Sequence, residues 1–204
     1  MTYSFKNNEK ADVRNLIMAI NTLGENLVGL ELGVFQAQSL MTILHNCSIK
    51  KLYGVDHWKG YSDYLSSTPT GKPVYSVSPE DSEYNKLLTL HRIKHSGMKD
   101  KVTIIEEDSL EAVKKIKDKS LDFIFFDAMM DENQTYREAL AYYPKIKSGG
   151  YFMGDDAFCR EQVITPLTRV LKHYKNVNPI IIYGRCFMFK IRENYETIGV
   201  MQNK

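Results

Sequence analysis

Acidic residues recur at the ends of the apolar segments in this sequence. Asp56, Asp108 and Asp127 each close a run rich in aliphatic or aromatic residues, and an earlier run over residues 27–32 ends on Gly33. Such runs predict β-strands. Because the carboxyl ends of parallel strands meet at one edge of a sheet, we expect the glycine and the three carboxylates to gather there. Open α/β sheets bind their ligands at that edge, so these residues are the first candidates for a functional site.

The segment around Gly33 changes from strand to helix within a few residues. A helical pattern begins near Ala37, so the turn between the two elements directs backbone amides towards the edge of the sheet. The missing side chain at Gly33 would let a ligand approach the backbone closely. Glu31 is a carboxylate in an otherwise apolar strand. Since an isolated buried carboxylate is costly, we expect Glu31 to have a partner.

The rest of the chain alternates strands and helices. Further strands are predicted at residues 51–56, 102–108, 121–127 and 151–156, and helices at 11–23, 37–47, 80–97, 110–117, 132–146 and 160–174. The first five strands should be parallel and joined by right-handed crossovers. Residues 179–185 and 186–192 have almost no connection between them, which predicts an antiparallel hairpin.

Length and composition indicate one domain over residues 1–204, with residues 1–26 as an N-terminal helical extension. The 204 residues are 43% hydrophobic and 25% charged, as in ordinary soluble globular proteins. A formal net charge of +2 with interspersed signs predicts neither a nucleic-acid nor a membrane partner. No signal peptide and no run of 18 apolar residues occurs, and three widely separated cysteines form no metal-type spacing. We therefore expect a cytoplasmic protein; the sequence leaves a homodimer open.

Residues 59–81 interrupt the alternation. They are rich in Tyr, Ser, Gly and Pro and have no sustained period. Since long loops inside compact domains commonly cover binding sites, we predict a lid here.

These residues resemble the class I S-adenosylmethionine-dependent methyltransferases over roughly residues 24–193. The resemblance implies an α/β protein with a Rossmann-like, seven-stranded, mostly parallel sheet, helices on both faces and a C-terminal antiparallel β-hairpin. It also implies where S-adenosylmethionine binds. Glu31, Leu32, Gly33 and Val34 with Ser39 are similar to the motif that meets its methionine part. Asp56, with His57 beside it, matches the acid on the ribose, and Asp108 with Ser109 matches the pair beside the adenine; Asp127 completes the set.

The second half of the chain resembles the small metal-dependent O-methyltransferases of the catechol and macrolide-sugar types. The residues that match their metal ligands are Asp127 and the pair Asp155 and Asp156. Carboxylates that converge repel one another unless a cation neutralises them, and oxygen ligands suit Mg²⁺, Mn²⁺ or Ca²⁺. The implied activity is transfer of a methyl group to a hydroxylated small molecule, such as a sugar or another diol, with divalent-metal assistance.

The general base departs from that resemblance. Both metal-dependent types tend to carry a lysine or histidine three residues after the strand-four aspartate, where this chain has Met130. A thioether cannot take a proton, so Asp127, Asp131 and His57 are the catalytic candidates. Two alternatives stay open: a metal-independent methyltransferase of the same fold, acting on nitrogen or carbon, and a nucleotide-binding module without catalysis. The first turn lacks the spaced glycines of an NAD-dependent oxidoreductase.

Overall fold

The computed structural model describes residues 10–63, 75–128 and 131–192 and contains a seven-stranded sheet. Its strands are β1 (Leu27–Leu32), β2 (Ile49–Asp56), β5 (Val102–Glu106), β6 (Leu121–Phe126), β7 (Ile146–Gly154), β8 (Ile181–Tyr183) and β9 (Cys186–Lys190). Their order is β5-β2-β1-β6-β7-β9-β8. The pairs among the first five are parallel, whereas β9 is antiparallel to both β7 and β8. The predicted fold class is confirmed.

Helices connect these strands. They are α1 (Lys10–Asn21), α2 (Gln38–Asn46), α3 (Pro79–His95), α4 (Ser109–Ala112), α5 (Glu132–Tyr142) and α6 (Thr165–His173). A π-helical turn, Arg160–Ile164, precedes α6, and single 3₁₀ turns follow α4 and α5. None of the described helices is long and apolar enough to cross a membrane.

Several elements differ from their predicted boundaries; α4, for example, ends at Ala112 and α5 at Tyr142, earlier than predicted. Strand β7 begins at Ile146, five residues earlier than predicted, and its pairing with β6 shifts between Leu121 and Phe123. In the predicted lid, β3 (Tyr61–Asp63) and β4 (Tyr75–Val77) form a two-stranded antiparallel ribbon, and α3 already starts at Pro79. Residues 64–74 of the lid lie outside the described residues, as do residues 1–9 of the N-terminal extension, so both remain predictions.

The centre of the sheet is apolar on both faces. On β6, Ile124 and Phe126 pack into one core cluster while Phe123 and Phe125 pack into the other. This alternation is expected of a parallel strand covered by helices on both sides. Strand pairing holds the carboxyl ends of β1, β2, β6 and β7 beside one another, because β1 pairs with both β2 and β6, and β6 pairs with β7. That edge carries the predicted site residues.

Candidate active site

Gly33 lies where the ends of β1 and β6 meet. Its φ is +85°, and a Cβ built there would lie 1.9 Å from the carbonyl oxygen of Asp127. The Asp127 amide donates to the carbonyl of Leu32 at 2.8 Å, which holds the two strand ends together. Glycine is therefore required here by the neighbouring strand, a reason that the sequence did not reveal.

Asp56 holds the turn that follows Gly33. One carboxylate oxygen accepts from the amides of Val34 at 3.0 Å and Phe35 at 2.8 Å, and the other accepts from the Trp58 amide at 2.9 Å. A carboxylate offers about four acceptor positions, so roughly one remains for a ligand. Asp56 thus lies at the predicted cofactor edge and organises it, whereas contact with a ribose stays a prediction.

The turn after Gly33 is also held by hydrogen bonds from two side chains, one of them on α3. The carbonyl of Phe35, a residue with φ of +50°, accepts from the Trp58 indole at 2.9 Å and from the Thr89 hydroxyl at 2.8 Å. Trp58 and Thr89 are buried. Sequence reasoning missed both, because a tryptophan after a strand and a threonine within a helix give no signal of a shared partner.

Glu31 is fully buried at the end of β1. The Ser39 hydroxyl donates to its Oε1, which supplies the partner that we expected. Its Oε2 has no hydrogen-bond partner in the part of the chain that the structure describes. Burial raises the pKa of Glu31 well above its usual range; the Ser39 hydrogen bond opposes the rise and the charges of Asp127 and Asp56 add to it.

A second buried carboxylate, Glu138 on α5, lies behind the predicted adenine residues. The Ser109 hydroxyl donates to Glu138 Oε1, and Gln134 donates to the same oxygen at 2.7 Å. Asp108 is exposed and caps α4 by accepting from the Leu110 amide at 2.9 Å. Ser109 therefore faces the protein interior, and Glu138 is a polar residue of this region that the sequence analysis did not select.

Asp127, Asp155 and Asp156 follow the adjoining ends of β6 and β7, and Arg185 lies among them. Arg185 Nε lies 2.7 Å from Asp155 Oδ1, and Arg185 Nη2 lies 3.1 Å from Asp156 Oδ1. Burial, followed by the negative charges of Asp155 and Asp156, raises the pKa of Asp127 to about 8, and Arg185 opposes the rise.

Arg185 affects whether a divalent metal ion can bind between these carboxylates. Among residues 10–63, 75–128 and 131–192, no group of three or more His, Cys, Asp or Glu side chains is arranged to hold a metal ion. Asp155 Oδ1 already accepts from the Asp156 amide at 2.8 Å as well as from Arg185. Asp155 and Asp156 as placed therefore do not fit a divalent ion, because the Arg185 guanidinium occupies one oxygen of each.

The remaining base candidates make local hydrogen bonds. His57 Nδ1 accepts from the Lys59 amide at 2.9 Å, and the exposed Asp131 caps α5 by accepting from the Gln134 amide at 2.8 Å. Among the described residues, no contact joins His57 or Asp131 to Asp127, Asp155 or Asp156. Met130 lies outside the described residues.

The sheet order, the terminal hairpin and the turn after β1 define a class I, Rossmann-like methyltransferase. A family model described as a methyltransferase domain matches residues 28–157, which include all the predicted site residues. The chain belongs to this methyltransferase family and is an S-adenosylmethionine-dependent enzyme, so the predicted class is confirmed. No curated protein matches the sequence.

Solved structures share the fold at low sequence identity. The O-methyltransferase from Bacillus cereus in complex with SAH has a TM-score of 0.60 and 12% identity, covering 93% of this chain and 82% of that chain. The O-methyltransferase NovP has a TM-score of 0.60 and 13% identity, with coverage of 88% and 78%. Cofactor-bound Rv0187 from MTB has a TM-score of 0.61 and 10% identity, with coverage of 95% and 84%.

The residues at the edge of the sheet fit S-adenosylmethionine. This cofactor carries a positive sulfonium and an ammonium group, and buried carboxylates without a full set of partners attract such charges. Within the described residues Glu31 Oε2 is a buried acceptor without a hydrogen-bond partner, and Asp127 follows the strand that pairs with β1. Both lie at the end of the sheet beside the turn after β1.

Proposed function

We propose that this enzyme transfers a methyl group from S-adenosylmethionine to a hydroxyl of a small molecule such as a sugar or another diol. The observation that carries the proposal is the group of Asp127, Asp155 and Asp156 at the adjoining ends of β6 and β7. Hydroxyls donate hydrogen bonds to carboxylates, and a diol can donate two at once. The structural similarity to O-methyltransferases supports the same acceptor class.

Glu31, Ser39, Asp56 and Asp108 are the residues that we expect to hold the cofactor. When bound, S-adenosylmethionine supplies a methyl group on a cationic sulfur that leaves as a neutral thioether. The protein contributes a fixed turn, since Asp56 and the Trp58 indole hold the backbone of Val34 and Phe35. A turn that is already ordered loses little entropy when the ligand binds.

Asp127 is our candidate for the base. The acceptor oxygen must lose its proton as the new oxygen–carbon bond forms, while the electron pair of the sulfur–carbon bond stays on sulfur. Asp127 lies at the end of β6, between Glu31 on β1 and Asp155 beyond β7. A proton acceptor must be within hydrogen-bond reach of the reacting hydroxyl, so its place matters first. His57 and Asp131 already bond to local amides.

Divalent-metal assistance by Mg²⁺, Mn²⁺ or Ca²⁺ was implied by the resemblance. No step of the proposed reaction involves a metal, because Arg185 pairs with two of the three carboxylates. We also propose that the protein is cytoplasmic and that it has no nucleic-acid or membrane partner. Whether it forms a homodimer stays open.

The proposal is tested by following SAH formation with a panel of catechols, sugars with vicinal diols, and amines. We expect turnover with at least one hydroxylated acceptor. Asp127→Asn should lower kcat at least about 100-fold, as removal of a general base does, and change cofactor affinity much less. Asp131→Asn and His57→Ala are matched controls that should keep most of kcat. Turnover with amines alone would contradict the proposal, as would full activity of Asp127→Asn.

A further inference from the structure

Arg185 is placed by the sheet. It lies in the turn between β8 and β9, directly before Cys186, whose strand pairs with β7 as far as Phe187 opposite Gly154. Its carbonyl accepts from the Ala157 amide at 2.6 Å, which ties the turn to the loop after β7. The pairing of β9 with β7 and this hydrogen bond therefore place the Arg185 guanidinium beside Asp155 and Asp156.

The contact between Arg185 and the acids is more than a surface ion pair. Two different nitrogens bond two different carboxylates, and only 18% of the Asp155 side chain and 16% of the Asp156 side chain are exposed. The Arg185 side chain is 46% exposed, so one side of the guanidinium faces outward beside the exposed ring of Phe158, whose centroid lies 5.9 Å away. Exposed ion pairs contribute little, whereas removing the cation from clustered, mostly buried carboxylates is costly because it leaves their charges unpaired.

The charge of Arg185 resembles that of a bound cation. A guanidinium stays protonated in proteins, so its positive charge is permanent. It acts on all three acids, because Arg185 pairs with Asp155 and Asp156 and also opposes the rise in the pKa of Asp127. A divalent ion at the same oxygens would have to displace the guanidinium and would meet its like charge.

We propose that Arg185 supplies the positive charge beside Asp127, Asp155 and Asp156, at the position where the resemblance implied a divalent ion. Methyl transfer then requires no metal. This inference rests on the proposed function in one respect, that Asp127, Asp155 and Asp156 face the acceptor. Arg185 is a positioning residue: its guanidinium bonds Asp155 and Asp156 and offsets their negative charge, and the acceptor hydroxyl loses its proton to Asp127.

The first test needs no acceptor. Protein dialysed against EDTA is melted with and without Mg²⁺ or Mn²⁺, for wild type, Arg185→Ala and Arg185→Ala combined with Asp155→Asn. Wild type should not shift. Arg185→Ala exposes the carboxylates to the ion, so its Tm should rise by about 3–6 °C when the ion is at about ten times its Kd. The double variant should lose that rise.

The second test uses turnover. Wild type should keep full activity in excess EDTA, and Arg185→Ala should lose about 100-fold, with partial rescue by added guanidinium ion. Arg185→Lys should retain more activity than Arg185→Gln, because it keeps the charge. Arg169→Ala, which removes a surface arginine paired with Glu132 at 3.2 Å, is the matched control and should leave activity unchanged.

Either of two results would overturn the inference: loss of wild-type turnover in EDTA with return on adding Mg²⁺, or a metal-dependent rise in the wild-type Tm that Asp155→Asn abolishes. If no hydroxylated acceptor is found, the proposed function fails, yet the melting experiment still decides the role of Arg185.

Discussion

The turn after β1 should depend on Asp56 before any ligand is bound. Replacing Asp56 by alanine leaves three backbone amides, those of Val34, Phe35 and Trp58, without their acceptor. Hydrogen bonds to a charged group contribute about 1.5–3 kcal/mol each when well shielded. Asp56 is half-buried and water can replace part of the loss, so we take about 1 kcal/mol per bond and expect Asp56→Ala to cost about 3 kcal/mol.

Asparagine at position 56 makes a sharper test. It keeps one acceptor oxygen but turns the other into an N–H donor. If the oxygen faces Val34 and Phe35, a donor faces the Trp58 amide. We expect Asp56→Asn to cost about 1–2 kcal/mol, which is between wild type and alanine. Asp118→Ala is the control, because the Asp118 side chain is 66% exposed and loss of its ion pair with Lys145 should cost under about 1 kcal/mol.

Urea unfolding measures these costs, and cofactor affinity can be read on the same samples. Trp58 is the single tryptophan, and its indole bonds within the turn, so its fluorescence should respond to ligand at this edge. An unchanged urea midpoint for Asp56→Ala would refute the turn-holding role. Unchanged affinity for S-adenosylmethionine in Asp56→Asn would refute the predicted contact with the ribose.

Three further predictions concern packing and buried charge. Gly33→Ala should cost more than about 3 kcal/mol by circular-dichroism melting, since its Cβ would overlap the Asp127 carbonyl, while Gly97→Ala, with φ of +75° and open space, should cost about 1–2 kcal/mol. Equal losses would contradict this reason for Gly33. Burial raises the pKa of Glu138 to about 7, so its contribution to stability is present below pH 4.5 and lost as pH rises to 7, by at most about 3 kcal/mol. Glu138→Gln should lack that part of the pH dependence in urea titrations at pH 5 and 8, and an unaltered difference would argue against a buried, protonatable Glu138. Thr89→Val should weaken the turn by about 1 kcal/mol by losing the bond to Phe35, and no change in urea midpoint would contradict it.

The sequence by itself predicted the order of strands and helices around the main sheet, although not the β3–β4 ribbon. Apolar runs that end on Gly33, Asp56 and Asp127 predict parallel strands and place their ends together, because strand direction and crossover handedness leave few arrangements. The abrupt step from residue 185 to 186 likewise predicted the closing hairpin. The order of the elements was therefore predictable without any tertiary contact.

Only the tertiary structure decided which side chains satisfy one another. Asp56 was predicted to face a ligand; only the structure shows that its carboxylate also accepts from two amides of the turn after β1 and from the Trp58 amide, because buried and half-buried donors compete for any acceptor within reach. Arg185 is about 30 residues from Asp155, and no local pattern links them. Their meeting depends on the register of β9 against β7, which strand propensity does not specify. A sequence can therefore predict a cluster of acidic residues, whereas only the fold determines which cation neutralises it.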